Sequence, residues 1–447
     1  MGNSLIEVKN LIGKSFKCEF CGEIHKIEIE KIKEGKIKDI EKFISKILKR
    51  KKMIILCDDI TWEVAGKYIK EQIRSNITGV LILKPKDEKR VTARYEYIEE
   101  IEKDIQDVSL IITVGSGTIT DLGKLTGNKY KIPVLSFPTA PSMNGYTSPV
   151  AAFIKQGVKL TIPVSPPKFV YIDREILSNA PLELIKAGFA DTLAKSFANA
   201  DWKIFSILTK EKFCSLPLKI LNEIEKKYVN KGNLLLKRDK KFIKNLFDCL
   251  NIGGISMIIA GNSSPASGGE HLISHFLDMY ACQNNKELFS YHGLQVGTGV
   301  YISSLIYERL KQLNDFEVKK MLNKRKIDYE EKEKLLISIF PLSKNLLKEI
   351  FKKKIDNLKK IKVKLFEEWE NIKKDAFSIV YSPVEIKNFL IKANCPVYLN
   401  EIVPEDSLIY KTLLFSRFIR DKITVLDIAD EIGILEDIAN EYIKGKI

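Results

Sequence analysis

From about residue 50 the apolar positions gather into short unbroken runs separated by segments of helical period. The runs are Met53-Ile-Ile-Leu-Cys57, Gly79-Val-Leu-Ile-Leu83, Leu110-Ile-Ile-Thr-Val114 and Pro133-Val-Leu-Ser-Phe137, all short and rich in β-branched residues. A strand that is apolar at every position is covered on both faces, unlike the alternating strand of a half-solvated sheet. Strands of this kind alternating with helical segments predict a parallel sheet covered by helices. After Phe169-Val-Tyr-Ile-Asp173 the strand pattern fades. Ser178-Asn-Ala-Pro181 then predicts a helix start with proline near the first turn, and most later segments carry helical period. The predicted organisation is an α/β domain over residues 1–175 and a mainly α-helical domain over 176–447, with no internal repeat.

Composition narrows the class. The chain has 447 residues, 45% of them hydrophobic, and no long low-complexity tract, which fits an ordinary globular protein of two or more domains. No apolar run nears the ~18–20 residues that span a bilayer. The first residues lack the basic start and apolar stretch of a signal peptide, and Ile6 stands where a myristoylation signal has Ser or Thr. The seven cysteines show no disulfide-framework spacing. A cytoplasmic protein without membrane insertion is therefore expected. The net charge of +15 would attract an anionic small molecule. Nucleic acid is not expected as a partner, because the lysines sit among Ile, Leu and Phe or alternate with glutamates, as on solvated helix faces, with no aromatic interleaving.

Four histidines are present, and three of them fall between positions 271 and 292, in Gly269-Glu270-His271-Leu-Ile-Ser-His275 and Tyr291-His292-Gly293. On a helix, His271 and His275 are four apart and face one site. His292 precedes Gly293 and Gly297, which leave room for close backbone approach. Asp191, in the small-residue helix start Gly188-Phe-Ala-Asp191, suggests a third kind of ligand. One Asp and two His would give a divalent ion three protein ligands and an open position, the coordination of a catalytic centre. Spacing alone does not tell which of His271 and His275 is the ligand, and such pairs also occur on ordinary helices. The third strand runs into Gly115-Ser-Gly117-Thr118-Ile119-Thr120-Asp121, where glycines and a helix N-terminus suit a pyrophosphate, although Thr120 replaces the third glycine of the usual fingerprint. The next strand ends in Thr139-Ala-Pro-Ser142-Met-Asn144-Gly-Tyr-Thr-Ser148, small hydroxyl residues that read equally as a Pro-punctuated loop. At the N-terminus Cys18-Glu-Phe-Cys21 and His25 offer three donors. No second Cys or His pair lies nearby, so the segment reads as a hairpin turned at Gly22 with its metal role open.

Taken together these blocks resemble the superfamily of metal-dependent polyol dehydrogenases, glycerol dehydrogenases and dehydroquinate synthase, and within it the sn-glycerol-1-phosphate dehydrogenase group. The resemblance covers roughly residues 50 to 300, through Gly-Ser-Gly-Thr-Ile-Thr-Asp121, Pro-Thr-Ala-Pro-Ser142, Gly-Val-Lys159, Ala-Asp191, Pro-Ala-Ser-Gly-Gly-Glu-His271-Leu-Ile-Ser-His275 and His292-Gly. It implies a Rossmann-like first domain and an active site in the cleft between domains. It further implies NAD(H) or NADP(H) contacts at Gly115, at Gly117 through Asp121, and at Thr139, Ser142 and Ser148, with Asp58 near the adenine ribose. The implied metal ligands are Asp191, His271 and His292, with His275 toward the substrate. Zinc fits such a site, and nickel or iron would accept similar ligands. Lys159 is the candidate for a substrate phosphate. The implied reaction interconverts dihydroxyacetone phosphate and sn-glycerol 1-phosphate by hydride transfer, and a homo-oligomer is left open.

Two departures bear on the substrate. The group usually has Asp in the loop where this chain has Asn144, a residue expected to contact the substrate near its hydroxyls, and usually has Arg before Pro-Ala-Ser-Gly where this chain has Ser264. Asn144 keeps the shape and loses the charge; Ser264 removes a planar cation suited to phosphate. The alternatives are the same chemistry on another polyol or carbonyl compound and, further off, a dehydroquinate synthase-like lyase.

Overall fold

The computed structural model describes residues 8, 10–48, 52–73, 77–86 and 89–447. Its strands are β1 (Ser15–Lys17), β2 (Ile24–Lys26), β3 (Lys31–Glu34), β4 (Met53–Asp58), β5 (Ile77–Leu83), β6 (Leu110–Gly115), β7 (Val134–Pro138), β8 (Val150–Lys155), β9 (Val158–Pro163) and β10 (Phe169–Ile172). Every predicted run is a strand of one parallel six-stranded sheet ordered β3-β10-β7-β6-β4-β5. The sixth member, β3, escaped the pattern because it reads Lys-Ile-Lys-Glu and is largely exposed, as suits a charged edge strand.

Side-chain alternation divides each central strand between two cores. Ile54 and Leu56 of β4 join Ile111, Ile119, Leu122 and Phe153 on one face, whereas Met53, Ile55 and Cys57 join Ile112, Val114, Phe137 and Tyr171 on the other. Each such side chain contributes about 1.5–3 kcal/mol by leaving water. The strand order also explains why the glycine-containing turn follows the third strand of the alternation. The chain steps from β4 outward to β5, returns to place β6 against the other side of β4, and continues to β7 and β10. The turns after β4 and β6 thus leave neighbouring strands in opposite directions, at the switch point where open α/β sheets bind ligands.

The helices that matter for the site are α1 (Gly117–Tyr130), α2 (Leu182–Thr209), α3 (Lys240–Ala260), α4 (Gly269–Gln283) and α5 (His292–Lys311). The predicted start after Pro181 is the start of α2. By length and composition α3 could cross a bilayer, yet 83% of its apolar window is buried inside the protein, so it is a core helix. Packing groups the chain into one compact unit of residues 1–155, 159–192 and 219–263, which holds the sheet, and a second of 156–158, 193–218 and 264–447. The second unit is helical. In it, Arg417 is wholly buried between Asp427 and Asp430, and Lys354 reaches Asp427 at 2.6 Å, so the buried charges are paired.

Candidate active site

The turn after β6 has Ser116 at the N-cap of α1 in an extended conformation. Only part of the run that follows faces outward. Ile119 is a core residue, and Thr120 is fully buried with its hydroxyl donating to the Ser116 carbonyl at 3.1 Å. Asp121, also buried, pairs with Lys124 at 2.8 Å and accepts from the Ala152 N–H at 3.2 Å. What the turn offers an anion is therefore backbone, the first N–H groups of a helix that no residue within the helix can satisfy. Gly117 is required for space: a Cβ there would fall 1.7 Å from Met143 Sδ.

Lys124 carries no recognisable motif, yet it organises the second loop. Its side chain is wholly buried and its ammonium donates to the Gly145 carbonyl (2.9 Å), Ser148 Oγ (2.9 Å) and the Val150 carbonyl (2.5 Å). Burial pushes its pKa down while Asp121 opposes the shift. Ser142 Oγ lies 3.0 Å from the Tyr146 hydroxyl, which donates to the Ala140 carbonyl, and the Thr139 N–H donates to the Gly115 carbonyl at 3.1 Å. Thr139, Ser142, Asn144 and Ser148 are all buried, so this segment is a fixed structure and differs from a solvated surface loop. Asp58 ends β4 and accepts from both the N–H and the hydroxyl of Thr61, capping the short helix that follows. A cavity of about 540 Å³ opens along this edge of the sheet, lined by Ile60, Thr61, Tyr68, Thr139, Asp173 and Leu184 among others. Lys159 lies half-buried on β9.

The three clustered histidines come together. Ring centroids are 5.3 Å apart for His271 and His292, 5.6 Å for His275 and His292, and 6.1 Å for His271 and His275. Both His271 and His275 project from the first half of α4, and His292 opens α5. The two helices cross where the Gly299 position meets Glu270, close enough that a Cβ would stand 2.5 Å from the Glu270 carbonyl oxygen. Asp191 lies on α2. Asp191, His271 and His292 each offer a ligand atom, all within 4.8 Å of one another.

The donor set fits a divalent ion. His271 Nδ1 is 2.9 Å from Glu270 Oε1, and His292 Nδ1 is 3.0 Å from Ser274 Oγ, itself 2.9 Å from the Gln295 side-chain amide. With Nδ1 protonated, both rings donate outward and keep Nε2 lone pairs for a metal, the arrangement that orients ligating imidazoles. Glu270, fully buried, and Ser274 were passed over in the sequence, where a carboxylate beside a histidine has no distinguishing spacing. Asp201, on α2, accepts from the Gly269 N–H at 2.8 Å and so holds the start of α4; burial, with Glu270 beside it, pushes its carboxyl up to about 7.

Comparison with known proteins agrees with this picture. The iron-containing alcohol dehydrogenase family model matches residues 31–181. The glycerol-1-phosphate dehydrogenase [NAD(P)+] of Bacillus licheniformis is 32% identical over 315 residues, spanning 69% of this chain and 77% of that protein. The protein of the same name from Bacillus subtilis is 32% identical over 59% of this chain and 68% of its own, and that of Thermococcus sibiricus 29% identical over 60% and 75%. Among solved structures, an archaeal halo-thermophilic alcohol dehydrogenase from a Red Sea brine pool superposes with a TM-score of 0.60 at 14% identity, covering 93% of this chain and 99% of that one. Glycerol dehydrogenase from Schizosaccharomyces pombe gives 0.55 at 14% identity over 93% and 91%. These two share the fold. At the identity and coverage of its Bacillus relatives, the chain belongs to the glycerol-1-phosphate dehydrogenase family.

Proposed function

We propose that the protein is an NAD(P)-dependent, metal-dependent dehydrogenase that interconverts dihydroxyacetone phosphate and sn-glycerol 1-phosphate. The observation that carries this reading is the group of one carboxylate and two imidazoles, Asp191, His271 and His292, with ligand atoms within 4.8 Å and His275 beside them. A divalent ion held by these three residues would supply Lewis-acid polarisation of a carbonyl. The reduced nicotinamide would supply the hydride.

The chain's own residues do the rest. Glu270 and Ser274 fix the rings of His271 and His292 through Nδ1, which keeps the ligand atoms in place before substrate arrives. His275 is the group proposed to orient the substrate and to carry its proton, a role open to imidazole near neutral pH. The backbone N–H groups from Gly117 to Ile119 receive the pyrophosphate. Thr139, Ser142 and Ser148, the last held by Lys124, line the cofactor path, and the cavity along the sheet edge takes its adenosine half. Asp58 at the end of β4 would repel a 2′-phosphate, so NAD is the preferred form. Lys159 is assigned to the substrate phosphate. In this division residues 1–175 bind nucleotide and 176–447 bind metal and substrate, in a cytoplasmic enzyme.

Asn144 and Ser264 favour a second reading, the same chemistry on an unphosphorylated polyol or carbonyl compound. Oxidation of NADH with dihydroxyacetone phosphate, dihydroxyacetone and simple aldehydes decides between them. A higher kcat/KM for the phosphorylated ketone is expected; preference for an unphosphorylated substrate overturns the first reading.

A further inference from the structure

A second group of ligand atoms lies outside the active site. Cys18, Cys21, His25 and Cys214 bring three sulfurs and an imidazole nitrogen within 4.8 Å of one another. The first three belong to the N-terminal hairpin of β1 and β2, in the Cys-x-x-Cys spacing that lets two thiolates share one ion. The turn between them is built for it. The Gly22 N–H donates to the Cys18 carbonyl at 2.9 Å, the Cys18 N–H donates to the Glu23 carbonyl at 2.8 Å, and Gly22 takes the left-handed φ of 75° that a side chain would resist. This fold of the backbone directs Cys21 toward His25, whose Nε2 is 3.1 Å from the Cys21 sulfur. Cys214 arrives from the stretch after α2. Just beyond it, the Lys219 ammonium stands 4.9 Å over the Phe20 ring, inside the Cys18–Cys21 turn, so a short tether keeps Cys214 at the hairpin.

The strands of the hairpin bury little surface of their own. Both strands are three residues long with every side chain exposed or half-exposed, and Ile24 is 75% exposed, whereas Cys18 is 2% exposed. An isolated two-stranded hairpin is marginal in water, and an element too small to build a core is held by a metal or a disulfide. None of the seven cysteines is in a disulfide. Three thiolates and one imidazole are a soft, closed set suited to zinc, in contrast to the three-ligand oxygen and nitrogen set at Asp191.

We propose that Cys18, Cys21, His25 and Cys214 bind a structural zinc ion, separate from the active-site metal, that fastens the N-terminal hairpin to the segment following α2. The test uses full-length protein produced in cobalt-supplemented medium. Thiolate ligands give cobalt(II) an intense near-ultraviolet charge-transfer absorption, which the sulfur-free Asp191, His271 and His292 group has no means to produce. The absorption is expected in wild type and in His271→Ala, and lost in Cys214→Ser together with one metal ion per chain. In the wild-type zinc protein, Cys18, Cys21 and Cys214 should react with a thiol reagent at least tenfold faster after treatment with a strong chelator. Should Cys214→Ser fail to fold, the wild-type spectrum still decides, and Cys214→His, which restores a fourth ligand, should fold and keep the ion. Absence of the charge-transfer absorption in wild type overturns the proposal, as does equal thiol reactivity with and without chelator or recovery of Cys18 and Cys21 as a disulfide.

Discussion

Replacing Lys124 with methionine tests whether the cofactor loop is held from beneath. Methionine is of similar length and fills nearly the same space, so little cavity is created. What is lost is electrostatic. The ammonium pairs with Asp121 at 2.8 Å, donates to Gly145 at 2.9 Å, Ser148 at 2.9 Å and Val150 at 2.5 Å, and has no exposed surface. Without it the Asp121 carboxylate, 4% exposed, keeps the Ala152 N–H at 3.2 Å as its hydrogen-bond donor. Removing one partner of a buried pair costs about 3–5 kcal/mol, mostly as the penalty of the charge left behind. Part of this is offset because the lysine was itself costly to bury, which is why its pKa is lowered. Lys124→Met should therefore lower the urea midpoint at an unchanged slope and raise KM for NADH, since the segment from Thr139 to Ser148 loses its tie to α1. The double variant Lys124→Met/Asp121→Asn should recover part of the loss, giving a coupling of about 1–3 kcal/mol. A Lys124→Met loss below about 1 kcal/mol, or strict additivity with Asp121→Asn, would refute the reasoning.

His271→Ala should remove the active-site metal and the activity together, while His275→Ala keeps the metal and loses rate; metal analysis beside kcat separates the two, and full activity in either variant counts against the assignment. Stripping that metal with a chelator should abolish NADH oxidation, and adding back a divalent ion should restore it. Glu270→Ala should weaken metal binding about 10–100-fold, with Glu270→Gln losing less because an acceptor for His271 Nδ1 remains, as read by competition with a chromophoric chelator. Asp201 has its carboxyl raised from 3.8 to about 7, so folding takes up a proton across that window and its contribution to stability falls as pH rises from about 4 to about 7. Thermal unfolding should show wild type gaining on Asp201→Asn as pH is lowered from 7 to 5; a difference independent of pH would remove Asp201 as the cause.

The sheet was legible because its strands are buried on both faces, which leaves unbroken apolar runs that little else produces. Edge strand β3 was not, since one neighbour and a solvated side allow a charged sequence that resembles a loop. Strand order was out of reach as well, because a parallel crossover reads the same whichever neighbour it returns to. Only the pairing of β6 with β4 explains why the third strand of the alternation carries the glycine turn. Residues of the Gly117–Asp121 run that looked alike in the sequence separate in the structure, with Ile119, Thr120 and Asp121 turned inward to build the turn.

The same limit separates the two candidate metal groups. For the histidine cluster, two ligands and a neighbour fall within one stretch of sequence, and the small-residue helix start at Gly188 already points to Asp191. Its supporting groups stayed hidden because Glu270 is adjacent to His271 and Ser274 precedes His275, positions that point to different sides of a helix unless a second helix meets both. Gly299 provides that meeting by letting α5 close on Glu270. For the cysteine group, spacing revealed three donors and gave no reason to choose among the remaining cysteines. Cys214 becomes the fourth through the path of the chain after α2, and Lys219 over Phe20 shows that path. Donors that cluster in one stretch of sequence can be read there; a donor set completed by a residue brought back through the fold requires the topology first.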